Sequence, residues 1–352
     1  MIRLSICIPT YNFRKFIGQT LDSIIKNIRD NVEIIILDGG STDDTAQIVA
    51  QSQLNCPSIK YHKQNYRGGI DRDIATVISL AQGDYCWLFS ADDIMLPGAI
   101  DKVLNYINSN HDVYLCEQIL CDYSMRPIKK HPVFYRITAP ETFQLNDAGQ
   151  RRRYFSRART SEAFFSFLSG PIFKRAIWKK ADGIPESFYE TCWGLAGRLL
   201  SLVPTGLTVH YLGEALLYKR GVNEQRDNDS FSAQGMVNRM RISVEGFRHI
   251  AQTIFGRESL ETFHIRRVLR NEWTLRTLMK IKLMTVVTPQ RENIETLKNL
   301  ATQHYLNAGF WNMSKHVIFR LTPIPLLKLA GLAEHIMLKI RNFLRKLFHI
   351  KM

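Results

Sequence analysis

Short apolar runs alternate with longer amphipathic stretches along residues 1–120. The runs are rich in β-branched residues, which is typical of buried strands, and the longer stretches repeat apolar residues with helical spacing. This alternation predicts a doubly wound α/β fold whose mostly parallel sheet carries helices on both faces. The predicted strands are 4–8, 32–37, 58–62, 84–89 and 112–116. The predicted helices are 16–28, 45–53, 70–81 and 98–107.

The pattern changes twice further along the chain. Beyond residue 117 it is irregular and rich in arginine. Two more apolar segments lie at 170–174 and 207–212. Beyond the polar stretch NEQRDNDS, nearly all of the sequence has helical periodicity and few glycines. We therefore predict an α/β domain over 1–230 and a helical, basic region over 231–352.

The composition is that of an ordinary globular protein. Hydrophobic residues make up 45% and charged residues 22% of the sequence, so a sizeable core is available and wholesale disorder is excluded. The six cysteines form no CxxC pair and several lie inside apolar runs, which predicts buried free thiols in a reducing compartment. The sequence begins with no signal-peptide pattern and has no long uninterrupted apolar stretch, so we expect a cytoplasmic protein without a spanning helix.

Positive charge is concentrated in the last third of the chain. The formal net charge is +15, yet residues 1–230 carry 27 lysines and arginines against 25 acidic residues. Residues 231–352 carry 20 against 7, a net charge of +13. Such an asymmetry favours a polyanionic partner, either nucleic acid or an anionic membrane surface.

Polar and turn-forming residues follow four of the predicted strands at the point where each strand ends. Ligands of open parallel sheets bind at the carboxyl ends of the strands, and these ends meet at one edge of the sheet. The sequence therefore predicts a binding site at this edge. The four segments are Pro9–Asn12, Asp38–Asp44, Arg67–Arg72 and Ser90–Asp93.

Two adjacent carboxylates, Asp92 and Asp93, directly follow the apolar run DYCWLF. Neighbouring negative charges repel unless a cation lies between them, and Mg²⁺ or Mn²⁺ bind carboxylate and phosphate oxygens together. A metal bridging this pair to a diphosphate would stabilise a phosphate-linked leaving group. The alternative is a solvated turn whose aspartates cap the next helix.

Two more residues at this edge have chemical interpretations that the sequence leaves open. Asp38 follows the second strand and suits a hydrogen-bond acceptor for a base or a ribose. Arg72 suits a phosphate clamp, or equally an ion-pair partner of Asp71 or Asp73.

Three ordered motifs resemble one known family. CIPTYN, ILDGGSTDDT and GDYCWLFSADDIMLPGAI occur in the order and spacing of family 2 glycosyltransferases with the GT-A fold. Within that family the chain most resembles abequosyltransferase-like members of O-antigen assembly. The resemblance is strong over 3–110 and weaker up to residue 220. It implies an enzyme that transfers a sugar from a nucleotide-diphosphate donor, with 1–117 as the nucleotide-sugar-binding half and 118–230 as the acceptor-side half.

The resemblance also implies roles for individual residues. Asp38 would contact the base, Asp92 would face the ribose or the diphosphate, and Asp93 would bind Mn²⁺ or Mg²⁺. A basic residue in a late family segment corresponds to Arg220, which would approach the diphosphate. The first aspartate of the usual DxD motif is Ser90 here, so metal binding would depend mainly on Asp93. The remaining donor-site residues are Pro9, Thr10, Tyr11 and Arg72.

The catalytic base corresponds less directly. The family has a Glu-Asp pair where this chain has Glu190 and Thr191. A base must reach the acceptor hydroxyl and take its proton as the bond forms. Glu190 is the predicted base, and Glu186 is the alternative. The resemblance further implies an inverting displacement, a CDP-linked dideoxyhexose as donor and a lipid-linked saccharide as acceptor.

The last predicted helix, from Glu334 to the end of the sequence, is basic and amphipathic. Ile336, Ile340 and Phe343 share its apolar face, and lysines and arginines lie largely opposite. Such helices lie in membrane interfaces, where each basic residue contributes about 1 kcal/mol near an anionic leaflet. The alternative is a helix that packs on the protein. We expect peripheral association with the inner face of the cytoplasmic membrane.

Three other interpretations compete with this one. A sugar-nucleotide pyrophosphorylase would need a glycine-rich loop after the first strand, where the chain has PTYNFRK. A basic nucleic-acid-binding protein fits the net charge, but 1–230 is nearly neutral and contains no recognisable nucleic-acid-binding motif, so we expect no nucleic-acid partner. An inactive relative that only binds the donor fits the unusual pair of Glu190 and Thr191.

Overall fold

A computed structural model of the protein describes residues 1–221, 235–287, 293–305 and 309–327. The chain forms two compact units, each of which combines two separate stretches. The first unit is Met1–Asp229 with Glu245–Leu269, and the second is Ser230–Val244 with Arg270–Met352. The helix predicted from Glu334 and the polar stretch NEQRDNDS lie outside the described residues.

Ten strands form one sheet in the first unit. They are β1 Leu4–Thr10, β2 Val32–Asp38, β3 Ile59–Lys63, β4 Tyr85–Leu88, β5 Ile94–Met95, β6 Val113–Cys121, β7 Pro127–His131, β8 Glu141–Gln144, β9 Pro171–Lys174 and β10 Thr208–Lys219. The order across the sheet is β3-β2-β1-β4-β9-β6-β10-β5, with β7 paired to β6 and β8 paired to β10.

The strands β3, β2, β1 and β4 are parallel to one another. Every residue of β1 and β2 is buried, because helices cover both faces of this half of the sheet. The register pairs Thr10 with Asp38, so the ends of β1 and β2 lie side by side. The predicted doubly wound α/β fold is therefore confirmed.

The other half of the sheet is mixed. β9 runs antiparallel between β4 and β6, while β10 runs parallel to β6 as far as Lys219. The sequence did not predict β5, β7 or β8. β5 has only two residues and β7 is polar and mostly exposed, so backbone pairing with β10 and β6 holds them rather than an apolar pattern.

Helices fill the connections and the rest of the chain. Those of the first unit are α1 Ile17–Ile25, α2 Thr45–Asn55, α3 Ile70–Ser79, α4 Ala99–Tyr106, α5 Ala148–Arg157, α6 Arg175–Lys180, α7 Gly194–Ser201, α8 Val203–Gly206, α10 Phe247–Phe255 and α11 Leu260–Glu272, whose last residues belong to the second unit. Those of the second unit are α9 Met236–Arg241, α12 Leu275–Val287, α13 Ile294–Tyr305 and α14 Phe310–Leu321. Short 3₁₀ turns lie at Ile107–Ser109, Ser161–Phe164 and Glu186–Glu190, and a π turn lies at Ile242–Gly246.

Two apolar clusters form the core of the first unit, one on each face of the sheet. In β1, Ile6 and Ile8 belong to one cluster and Cys7 to the other, as the alternation of side chains along a strand requires. Phe247 of α10 and Ile265 of α11 join the cluster of Cys7, so both helices are part of this core. All six cysteines are free and five of them are buried.

The second unit has a small core of its own, built by α9, α12, α13 and α14. The predicted helical character beyond residue 230 is confirmed for the part of the chain that the structure describes. Within those same ranges, every helix is too short or too polar to traverse a lipid bilayer.

Candidate active site

The ends of β1 and β2 are joined by a network of loop hydrogen bonds. The amide of Gly39 donates to the carbonyl of Thr10 (2.9 Å), and the hydroxyl of Ser41 accepts from the amide of Asn12 (2.8 Å). The side chain of Asn12 in turn accepts from the amide of Thr42 (2.8 Å). Asn12 has a φ of 59°, a left-handed conformation that asparagine tolerates better than most residues. The network fixes the predicted binding edge at its first two strands.

Asp38 is the last residue of β2 and is fully buried. Its Oδ1 accepts from the amide of Ser41 (2.6 Å), and its Oδ2 accepts from the hydroxyl of Tyr61 on β3 (2.5 Å). Burial and the Asp38 carboxylate raise the pKa of Tyr61, so the phenol stays a donor. Both oxygens of Asp38 are thus engaged, and they hold the ends of β2 and β3 together.

Three buried polar groups beside Asp38 have no hydrogen-bond partner among the residues that the structure describes. They are the hydroxyl of Thr10, Oε1 of Gln64 and Oδ1 of Asp73. A Cβ placed on Gly68 would lie 2.8 Å from Asp73 Oδ1 and 3.5 Å from Gln64 Oε1, so both acceptors lie close to Gly68, where a larger residue would collide with Asp73. Burial raises the pKa of Asp73 to about 6, and the charge of Arg67 opposes this rise. Unpartnered buried acceptors are costly, and such a cluster is typical of a ligand site.

Tyr11 directly follows Thr10 at the end of β1. The guanidinium of Arg67 is 4.3 Å from the centre of the Tyr11 ring, a cation–π contact. Pro9 and Thr10 are buried residues of β1, and Tyr11 is half-buried. The structure thus brings four of the predicted donor-site residues, Pro9, Thr10, Tyr11 and Asp38, to one end of the sheet.

The acidic pair follows β4 at the same edge. Asp93 is only 2% exposed; its Oδ2 accepts from the hydroxyl of Ser169 (2.9 Å) and its Oδ1 from the amide of Arg220 (3.1 Å). Asp92 is less buried, and its Oδ1 accepts from the hydroxyl of Ser90 (2.5 Å). Ser90, which replaces the usual first aspartate, therefore orients Asp92.

Burial raises the pKa of Asp93 to about 8, and the neighbouring charge of Asp92 adds to the rise. Burial also raises the pKa of Asp92, against the opposing charges of Arg220 and Lys219. Two carboxylates in this environment repel each other and favour a bound cation.

Arg220 connects the acidic pair to two other segments, the start of α1 and the loop that contains Tyr123. Its guanidinium donates to the backbone carbonyls of Asp92 (2.9 Å) and Tyr123 (2.8 Å) and to the side chain of Gln19 (2.8 Å). It also lies 4.8 Å from the centre of the Phe16 ring. Arg220 is nine-tenths buried, so its charge is fixed beside the carboxylates in a place of low dielectric.

A second charged cluster, which the sequence did not predict, adjoins the acidic pair. Oε1 of the buried Glu162 is 3.2 Å from the His131 ring and 3.5 Å from Lys219 Nζ, and Gln118 donates to it (3.2 Å). Burial raises the pKa of Glu162, but the hydrogen bond from His131 and the charge of Lys219 outweigh it and lower the pKa well below its usual range. Lys219 also acts on the carboxylates of the acidic pair, so one ammonium group connects the two clusters.

The remaining predicted residues lie at another place. Arg72 forms an ion pair with Glu186 (2.8 Å) on the exposed surface, so its partner is neither Asp71 nor Asp73. The backbone of Glu190 ends the 3₁₀ turn Glu186–Glu190, while its side chain lies outside what the structure describes.

The hydroxyl of Thr191, beside Glu190, is engaged by its own turn. It donates to the carbonyl of Phe188 (2.7 Å) and accepts from the amide of Trp193 (3.1 Å). It therefore helps to fix the backbone at the start of α7.

The donor atoms at the acidic pair suit a hard divalent cation. Among the described residues no group of three histidine, cysteine or acidic side chains could enclose a metal ion. Mg²⁺ is bound in many phosphate sites by one or two carboxylates, and substrate phosphates and water complete its shell. Asp92 and Asp93 offer such a partial set of oxygens, so these residues fit a metal that arrives with a diphosphate.

A parallel sheet with unpartnered buried polar groups and an acidic pair at the carboxyl ends of its strands defines an α/β protein with a candidate ligand site at that edge. The sequence profile of glycosyl transferase family 2 matches residues 5–173. Abequosyltransferase RfbV of Salmonella typhimurium is 30% identical over 282 residues, which are 78% of this chain and 83% of that protein. The chain belongs to glycosyl transferase family 2, and the predicted family resemblance is confirmed.

Further similar proteins agree with this assignment. A GalNAc(5)-diNAcBac-PP-undecaprenol beta-1,3-glucosyltransferase of Campylobacter jejuni is 30% identical over 112 residues, 32% of this chain and 36% of that protein. Among solved structures, S. aureus TarS 1-349 in complex with UDP-GlcNAc has a TM-score of 0.56 at 16% identity, covering 90% of this chain and 89% of that one. The mannosyltransferase PcManGT of Pyrobaculum calidifontis, in complex with GDP-Man and Mn²⁺, has a TM-score of 0.53 at 16% identity. The match covers 90% of this chain and 84% of that one. These structures share the fold of this protein.

Proposed function

We propose that this glycosyltransferase transfers a sugar from a nucleotide-diphosphate donor to a hydroxyl of a lipid-linked saccharide in O-antigen biosynthesis. The observation that carries the proposal is the acidic pair Asp92–Asp93, which Ser169 and Arg220 fix at the same edge of the sheet as the unpartnered groups of Thr10, Gln64 and Asp73. The similarity to an abequosyltransferase supports a dideoxyhexose as the transferred sugar, and CDP as its carrier stays a prediction from the sequence. The similarity to an enzyme named for an undecaprenol-linked substrate supports the acceptor class.

The nucleotide would lie at the carboxyl ends of β1, β2 and β3. Gln64 and Asp73 present acceptor oxygens at Gly68, and a nucleotide base carries N–H donors that would satisfy them. The ring of Tyr11 would stack on the base. Asp38 would fix the ends of β2 and β3 through its hydrogen bonds with Ser41 and Tyr61. Arg72 would have to leave Glu186 to approach the donor, so its predicted role depends on an exposed ion pair that costs little to break.

The diphosphate would lie against the acidic pair and Arg220. Asp92 and Asp93 would hold Mn²⁺ or Mg²⁺, which supplies positive charge to the phosphate oxygens of the leaving group when bound. Asp92 is the more accessible of the two, because both oxygens of Asp93 already accept hydrogen bonds within the protein. Lys219 is one-third exposed and would add a second positive charge on the same side.

The transfer itself would be a direct displacement. Glu190 would take the proton of the acceptor hydroxyl as its oxygen bonds to the anomeric carbon. The bond from that carbon to the diphosphate would break, and its electron pair would leave with the nucleoside diphosphate. Attack opposite the leaving group inverts the anomeric centre.

Calorimetric titration with CDP, UDP, GDP and dTDP, with and without Mn²⁺, tests the donor site. We expect Mn²⁺-dependent binding of one nucleotide, and the sequence resemblance predicts that it is CDP. Asp92→Asn should weaken this binding by tenfold or more, about 1.4 kcal/mol. Asp30→Asn, an exposed aspartate of the first unit, is the matched control. If none of the four nucleotides binds with or without the metal, the proposed function is wrong.

The variant Asp93→Asn, compared with Asp92→Asn, shows which of the two carboxylates binds the metal. If Asp93 is the metal ligand, this variant loses the Mn²⁺ dependence and Asp92→Asn keeps it. The opposite result assigns the metal to Asp92 and leaves Asp93 as the anchor of Ser169 and Arg220. Glu190→Gln should bind the nucleotide normally and fail to transfer; normal transfer by this variant would exclude Glu190 as the base.

A further inference from the structure

Helix α14 of the second unit turns an apolar face toward solvent. The side chains of Phe310, Trp311 and Leu321 are 76%, 77% and 76% exposed, and three more apolar side chains of the helix are about half exposed. These three are Met313, Val317 and Ile318. At 3.6 residues per turn, all six lie within one stripe along the helix. A water-exposed helix normally has the opposite pattern, with its polar side outward.

Contacts on the opposite side of α14 fix this orientation. Phe319 is completely buried in the core of the second unit, and His316 is hydrogen-bonded to Thr302 of α13 (3.0 Å). The ammonium group of Lys282 on α12 donates to the carbonyls of Phe319 (2.6 Å) and Thr322 (2.8 Å). These contacts hold the side of α14 that carries His316 and Phe319 inward, and the apolar stripe therefore faces outward.

Positive charge flanks the apolar stripe. Lys315 and Arg320 are exposed and lie on the two borders between the stripe and the buried side. Among its described residues, the second unit has nine lysines and arginines and two glutamates, Glu272 and Glu295. An apolar face with aromatic residues and cationic borders has the chemistry of a helix that lies in a membrane interface.

We propose that the outward face of α14 docks on an anionic lipid surface, with Phe310 and Trp311 at the level of the headgroups. The biological purpose of this contact rests on the proposed function, because a lipid-linked acceptor requires the enzyme at the membrane. Lysine and arginine at the borders would reach the headgroups while the apolar side chains enter the acyl boundary. A second copy of the chain is a poorer occupant, since two surfaces of the same strong positive charge repel each other.

Vesicle co-sedimentation of the full chain tests the docking surface. The probes are vesicles of phosphatidylcholine alone and of phosphatidylcholine with phosphatidylglycerol. We expect binding to the anionic vesicles that weakens with salt, and weak binding to the neutral ones. The double variant Phe310→Ser, Trp311→Ser should reduce the partition coefficient by about tenfold or more. Leu54→Ser removes an equally exposed side chain (77%) from the first unit and should leave vesicle binding unchanged.

Tryptophan fluorescence locates the contact. Of the five tryptophans, Trp87 and Trp178 are buried and Trp311 is the most exposed, so the emission quenched by acrylamide in the free protein should come mainly from Trp311. Anionic vesicles should protect this emission and shift it to the blue, and Trp311→Phe should abolish the change. Equal binding by the double variant and the wild type would overturn the proposal. So would a protected Trp311 in the free protein together with a dimer in sedimentation velocity, which would assign the face to a second copy.

Nucleotide binding is measured on the same variants. The double variant should bind the nucleotide and Mn²⁺ as the wild type does, because it changes no residue of the first unit. Loss of vesicle binding with intact nucleotide binding supports the docking surface. Failure of all nucleotides to bind, with vesicle binding intact, contradicts the proposed function and leaves the docking surface in place.

Discussion

Asp71 on α3 is a buried carboxylate that binds the start of α7. It accepts a hydrogen bond from the amide of Gly194 (2.9 Å), and only 4% of its surface is exposed. Burial raises its pKa from 3.8 to about 7, although the amides of Gly194 and Cys192 favour the charged form. A folded-state pKa above that of the unfolded chain means that the folded state holds a proton over this interval, so stability falls as the pH rises from about 4 to about 7.

We predict that Asp71→Asn reduces the pH dependence of stability. The wild type should lose stability between pH 5 and pH 8 by on the order of 1.4 kcal/mol for each pH unit that separates pH 5 from the folded-state pKa of about 7. Asparagine cannot ionise and keeps an acceptor for Gly194, so the variant should lose much less. The thermal unfolding midpoint at the two pH values measures this, with Asp30→Asn as an exposed control. A wild type that is equally stable at both pH values contradicts the prediction.

Single residues also show what the sequence could and could not predict of the site. Asp92, Asp93 and Arg220 were predicted because they lie in motifs, and the structure brings them within hydrogen-bonding distance of one another. Ser169 and Glu162 reach the same place from segments far along the chain, where no local pattern distinguishes them. Only the pairing of β9 and β6 with their neighbours brings such residues to the acidic pair.

At the scale of elements, two glycines that lie within helices differ in how much space a side chain would find. A Cβ on Gly197 of α7 would lie 2.6 Å from the ring of the buried Phe188, whereas a Cβ on Gly18 of α1 would lie 3.4 Å from Ile48. We predict that Gly197→Ala destabilises the first unit by about 1–3 kcal/mol, because two packed elements must separate. Gly18→Ala should be neutral or stabilise by up to about 1 kcal/mol through helix propensity. Chemical denaturation of both variants measures the difference, and equal midpoints would refute it.

Lys282 closes the C-terminal end of α14 from the neighbouring helix α12. Its two hydrogen bonds satisfy carbonyls that the helix itself leaves open, and a positive charge there suits the helix dipole. We predict that Lys282→Met destabilises the second unit by about 1–3 kcal/mol, since methionine keeps the apolar stem and loses both bonds. Amide hydrogen exchange along α14 should accelerate. Lys298→Met breaks a partly exposed pair with Glu295, removes a positive charge that repels Lys282, and should cost about 0.5 kcal/mol or less.

At the scale of elements, the apolar pattern was most informative where helices cover the sheet on both faces. The strands β1, β2 and β4 were predicted from continuous apolar runs, because a strand that is buried on both faces consists mainly of apolar residues. The residues of β7 are polar and mostly exposed, so its sequence resembles a loop. β7 is held to β6 by backbone hydrogen bonds, and these bonds require no alternation of apolar and polar side chains that a sequence could show.

For the whole molecule, the chain crosses between its two units more than once. A chain that ends at residue 230, the boundary predicted from the sequence, lacks α10 and α11. These helices contribute Phe247, Ile250, Ile265 and Val268 to the larger core of the first unit. We predict that the truncation 1–230 is unstable or aggregates, while 1–269 retains a cooperative unfolding transition. Circular dichroism melts of the two fragments measure this, and a well-folded fragment 1–230 would contradict it.

The interleaved path of the chain also has a consequence for synthesis. A ribosome releases the polypeptide from its N-terminus, so the sheet of the first unit emerges before the helices that complete its core. Until residue 269 has left the exit tunnel, the apolar positions that α10 and α11 will cover have no partner. By then α9, which belongs to the second unit, has already been released without α12–α14. The nascent protein therefore passes through a period in which both cores are incomplete, and this is when a chaperone that holds apolar surface would matter most.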